Sequence, residues 1–76
     1  MSHLIWNMDF RDRVAKNIAE LIKSSGKNKT QVAEELGINV VTVIDYTKGR
    51  SIPSLETFYE LCKILDCTYE DILGEI

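Results

Sequence analysis

The sequence predicts an all-α domain of five short helices. Apolar residues recur three and four apart along nearly the whole chain, and no stretch alternates apolar with polar residues as a half-buried strand would. Asn, Ser and Thr of the kind that start helices, and Gly of the kind that stops them, stand between the apolar stripes. Length sets the scale: 76 residues suffice for one domain, which at this size buries roughly 60% of its unfolded chain's surface.

The elements follow in order. Phe10, Val14, Ile18, Leu21 and Ile22 share one face of a first helix, with Ala15 and Ala19 beside them. Asp9 is its expected N-cap, Asp12 adds to an acidic first turn, and Ser24-Ser25-Gly26 ends it. Asn28 caps a second helix from Lys29 to Leu36, with Gln31 placed to reach back to the cap's own N–H. Val32, Ala33 and Leu36 form its buried stripe, and Gly37 stops it. Asn39 opens a third helix, Val40 to about Thr47, and Lys48-Gly49-Arg50-Ser51 reads as a loop. Ser54 caps a fourth, Leu55 to Leu65, whose expected core face is Leu55, Phe58, Leu61, Cys62 and Leu65. Asp66-Cys67 makes a turn. Thr68 caps a last short helix with Asp71 three residues on, Ile72 and Leu73 as its apolar pair, and Gly74 at its end.

Residues 1–8 are set apart from the domain at 9–76. They read as an N-terminal tail: an added segment ahead of a start at Met8, an arm burying Leu4, Ile5 and Trp6 on a partner subunit, or a frayed end with Trp6 folded back on the domain.

Composition excludes several function classes. No apolar run approaches the roughly 18 residues of a membrane span, and no basic-then-apolar leader is visible, so a soluble cytoplasmic protein is expected. Cys62 and Cys67 with the distant His3 cannot supply four zinc ligands, so no metal or cofactor is expected. With the sole histidine in the tail and no Gly-rich phosphate loop after a strand, the chain is not expected to be an enzyme or to take a small-molecule substrate. Tyr46, Phe58 and Tyr69 read as core or core-rim, and Glu60 with Lys63 as a weak surface pair.

Charge is unevenly spread. The net charge is −3, but residues 1–22, 23–50 and 51–76 carry 0, +2 and −5. Only the middle third would welcome a polyanion.

That same third holds the most demanding pattern. Ala33, Gly37, Val43 and Tyr46 fall where a helix-turn-helix needs them: a small residue for close helix crossing, a glycine for the tight turn, and two apolar anchors on the second helix's inner face. Over residues 11–73 the chain resembles the Cro/phage-repressor (XRE-like, lambda-repressor-like) helix-turn-helix family. The matching stretches are Asn28-Lys29-Thr30-Gln31-Val32-Ala33-Glu34-Glu35-Leu36-Gly37-Ile38, Lys48-Gly49-Arg50, Ile52-Pro53-Ser54-Leu55-Glu56-Thr57, and the ending Leu65 to Leu73. The resemblance implies a compact five-helix domain that binds double-stranded DNA site-specifically in a small transcriptional regulator, as a homodimer with the third helix in the major groove. Carried over by position, Val40, Val41, Ile44 and Asp45 would face bases. Lys29, Asn39, Thr42, Lys48 and Arg50 would meet phosphates, Lys29 standing where the family usually has Gln.

The base-facing set departs from the family. Val, Val, Ile and Asp offer no bidentate reading of guanine or adenine, only apolar contact with thymine methyls and an acceptor for a cytosine amino group. A carboxylate there is repelled by phosphates unless such a cytosine partner, or a basic neighbour, neutralises it. The alternative use of Val40, Val41 and Ile44 is an apolar patch that docks a protein on the same scaffold.

Overall fold

The computed structural model describes residues 3–74, with side chains from Phe10 onward. It contains α1 (His3–Ser24), α2 (Lys29–Leu36), α3 (Val40–Lys48), α4 (Leu55–Leu65) and α5 (Tyr69–Leu73), with no strand among the described residues. α2, α4 and α5 begin and end where their caps place them. In α2 the Gln31 N–H donates to Asn28 Oδ1 and the Asn28 N–H donates to Gln31 Oε1, at 2.8 and 2.9 Å. Thr68 and Asp71 repeat the arrangement in α5. α3 runs one residue beyond the expected Thr47, taking Lys48 from the loop.

α1 is the clear departure. It starts at His3, so Asp9 lies inside it and is not its N-cap. Asp is a start signal only where the chain before it leaves the helix, and residues 3–8 contain neither Gly nor Pro to break it. The side chains of His3, Leu4, Ile5 and Trp6 lie outside the described residues.

Each helix sends one fully buried aliphatic side chain inward: Ile18, Val32, Val43, Leu61 and Ile72. Around them Val14, Ile22, Ala33, Tyr46, Cys62 and Leu65 complete the core. Among the described residues no polar or charged side chain is buried. α1 packs on α3 and α5, while α2 packs on α3 and α4. The five-residue α5 is tied down by α1, where Asn17 Nδ2 donates to the Ile72 carbonyl at 2.8 Å and Arg13 Nε to that of Leu73 at 3.1 Å. Phe58 and Tyr69 brace the α4–α5 corner with ring centroids 5.0 Å apart.

Two expectations on α4 fail. Leu55 is 82% exposed and not part of the core. It lies about 70° around the helix from the centre of the Phe58-Leu61-Cys62-Leu65 stripe, at the end where the helix has just begun. Lys63 also leaves Glu60 and sets its ammonium 5.3 Å from the centroid of the Tyr59 ring.

α2, α3 and α4 terminate alike. In each, the residue after the last turn is left-handed: Gly37 at φ 72°, Gly49 at φ 75°, Asp66 at φ 54°. The next N–H then reaches back five residues, from Ile38 to the Ala33 carbonyl, Arg50 to Asp45, and Cys67 to Cys62, at 3.0 Å in all three. This is the Schellman closure, which sets side chains i and i+5 beside one another.

Candidate nucleic-acid interface

The turn Gly37-Ile38-Asn39 joins α2 to α3, and Ala33, Val43 and Tyr46 are buried behind it. Asn39 caps α3 by accepting from the Val41 N–H at 2.8 Å through its side-chain oxygen, so its amide nitrogen is not used by the cap. The Thr42 N–H donates to the Asn39 carbonyl, so the first turn of α3 is well closed.

The first turns of α2 and α3 and the last turns of α1 enclose an open groove of about 670 Å³. Ala19, Ile22, Val40 and Ile44 supply its apolar lining, and Lys23, Asn28, Lys29 and Thr30 its polar one. The four positions expected to face bases are therefore not equivalent. Val40 and Ile44 are half-buried in the groove, and Val40 also packs on the core. Val41 stands out at 58% exposure. Asp45 is half-buried near the C-terminal end of α3, outside the groove's lining.

Asp45 has the basic neighbour its position demands. Arg50 Nη1 lies 3.6 Å from Asp45 Oδ1, and the Arg50 N–H donates to the Asp45 carbonyl. The Schellman closure of α3 makes this pair, because Asp45 and Arg50 are its i and i+5 residues. Among the other cations, Lys27 is committed to both carboxylate oxygens of Glu35 at 3.0 and 2.8 Å. Lys29 and Lys48 are exposed and neither forms an ion pair among the described residues. Thr42 is half-buried.

Lys23 lines the groove beside Lys29 but was not among the residues expected at the site. Its signal was present in the basic middle third; its place at the end of α1 is what only the packing of α1 against α3 reveals.

A family model described as helix-turn-helix matches residues 18–72, nearly three-quarters of the chain. The chain belongs to the helix-turn-helix family. The family and the relatives it groups with are DNA-binding transcriptional regulators, which are not enzymes. The helix-turn-helix chain is also similar to the cryptic phage CTXphi transcriptional repressor RstR of Vibrio cholerae serotype O1, 23% identical over 62 residues, covering 82% of this chain and 55% of the repressor. The fold matches the crystal structure of a transcriptional regulator from Listeria innocua with a TM-score of 0.74 and 27% identity, over 83% of this chain and 59% of that one. The chain thus spans little more than half the length of either relative. Among the described residues no helix is long and apolar enough to cross a membrane.

Proposed function

We propose that this chain is the site-specific, double-stranded-DNA-binding domain of a transcriptional regulator, with α3 set into the major groove and Val41 reading thymine methyls. The observation that carries the proposal is the groove at the head of α3. Lys23 and Lys29 line it together with Val40 and Ile44, while two of the three acids of the middle third are answered internally by Lys27 and Arg50. A domain of net charge −3 therefore presents a locally cationic face. Lys23, Lys29 and Lys48 would bind phosphate oxygens as point charges, and the amide of Asn39 and the hydroxyl of Thr42 would add neutral contacts. Arg50 would contact phosphate through the guanidinium edge that Asp45 does not face. Specificity would come from methyl contacts and DNA shape more than from hydrogen bonds to base edges. The regulator would act in the cytoplasm as a homodimer on a palindrome, with residues 1–8 as a tail or arm outside the domain at 9–76.

Selection from a random duplex library at moderate salt tests this directly, with an enriched palindrome as the expected result. Lys29→Ala should then weaken binding and lower the slope of log affinity against log salt by about one. Val41→Ala should change the preferred site more than the affinity for random duplex.

The exposure of Val41 on a helix without bidentate base readers favours one second reading, a protein-docking face on the same scaffold. Under it, Val41→Asp abolishes capture of a partner, Lys29→Ala changes nothing, and the library yields no motif.

A further inference from the structure

Cys62 and Cys67 take no part in the groove, and as a sequence pair they read simply as two small apolar residues. Their placement is more specific. They are residues i and i+5 of the Schellman closure that ends α4, the Cys67 N–H donating to the Cys62 carbonyl at 3.0 Å. At the equivalent place on α3 the same closure brings Asp45 and Arg50 within 3.6 Å. On α4 it sets two thiols side by side. Both cysteines are free, Cys62 buried and Cys67 half-buried. They line one depression of about 310 Å³ that opens to solvent beside Tyr59, Lys63 and Tyr69. Each thiol also perturbs the ionisation of the other. A direct backbone tie between the two residues suits the Cα separation of about 5.5–6 Å that disulfides favour.

We propose that Cys62 and Cys67 form a dithiol modification site that closes to an intramolecular disulfide on exposure to a peroxide. Cys67, the more accessible, reacts first. Its thiolate sulfur attacks one peroxide oxygen, the O–O bond breaks, and the sulfenic acid forms as the other oxygen leaves as hydroxide and takes up the thiol proton as water. Cys62 sulfur then attacks the sulfenic sulfur, the S–S bond forms, and the hydroxyl departs with the Cys62 proton as a second water. Two thiols lose two electrons and two protons, and one peroxide becomes two waters. Burial, with the neighbouring Cys62 thiol and the Asp71 and Asp66 carboxylates, pushes the Cys67 thiol up to about 12. Its thiolate is therefore scarce at neutral pH, and closure should accelerate as pH rises.

The whole chain, treated with hydrogen peroxide, blocked by alkylation and digested with trypsin, gives a clean readout. Cleavage after Lys63 separates the two cysteines, so peptides 51–63 and 64–76 stay joined only by a disulfide. The expected result is the joined pair from a protein that runs as a monomer on a non-reducing gel, released by dithiothreitol. Cys62→Ser and Cys67→Ser each abolish it without unfolding the domain by circular dichroism. The proposal is overturned if the joined peptides come only from covalent dimers. It is equally overturned if both thiols stay alkylatable after prolonged peroxide treatment at about pH 10, where closure should be fastest, or if Cys67 passes to sulfinic acid without joining Cys62.

Discussion

Asp45 is the residue whose charge runs against the rest of the proposed DNA face. Its pairing with Arg50 spans 3.6 Å with side chains 31% and 66% exposed, a geometry worth well under about 1 kcal/mol to stability. Its larger consequence lies in what it does to Arg50, whose charge is half spent on a neighbour. Asp45→Ala removes a carboxylate from the DNA side and releases the guanidinium. The expected outcome is tighter binding to random duplex, by about three- to tenfold, with a salt slope steeper by about one phosphate contact. Anisotropy titrations across a salt series would measure both. Weaker binding confined to selected sites would instead show Asp45 accepting a hydrogen bond from a base.

At the scale of elements, three helix ends share one backbone solution, and its left-handed residue decides its cost. Gly37 adopts φ 72° with open space where a Cβ would stand. Gly37→Ala therefore meets no clash and loses stability through backbone conformation alone, by about 1 kcal/mol. Asp66 occupies the equivalent position of α4 at φ 54°, a conformation its own Cβ disfavours. Asp66→Gly should stabilise the domain by about 0.5–1 kcal/mol. Urea unfolding of the two variants should move the midpoint in opposite directions with the m-value unchanged. The direction of each shift tests the geometry, since helix propensity alone would make Gly37→Ala stabilising and Asp66→Gly destabilising.

For the whole molecule, stability rests on inward aliphatics sent from each helix, with no buried polar network among the described residues to share the load. Leu61 is fully buried, so Leu61→Ala should cost about 2–5 kcal/mol. That is a large fraction of the total for so small a domain, and thermal unfolding should begin near room temperature. The cysteines add a pH dependence. Both thiols are raised above their ordinary value, Cys67 to about 12, chiefly because burial disfavours the thiolate. The folded state then holds a proton that the unfolded chain releases, so the contribution is complete below about pH 9 and declines as pH rises towards 12. Denaturant titrations between pH 8 and 11 should show the decline, and Cys67→Ser should reduce it.

Nearly all of the helix plan was legible in the chain, because caps and stops act within four residues and need no distant partner. Asn28 with Gln31, Ser54, Thr68 with Asp71, and Gly37 each do their work inside one turn, and the structure keeps them there. α1 escaped that reading for the same reason: Asp9 has the chemistry of a cap, but nothing local stops the helix ahead of it. The framework of the candidate site was equally readable, as spacing alone puts Ala33, Gly37, Val43 and Tyr46 in register. Which side chains line the groove was decided in three dimensions. Lys23 joins Lys29 only because α1 crosses α3, Lys27 is lost to Glu35 across eight residues, and Leu55 is left outside by its angle on α4. The pairings of Asp45 with Arg50 and Cys62 with Cys67 lie between these cases. Their five-residue spacing is written in the sequence, but only a left-handed helix end turns that spacing into contact, since in a continuing helix the two side chains would point to different faces.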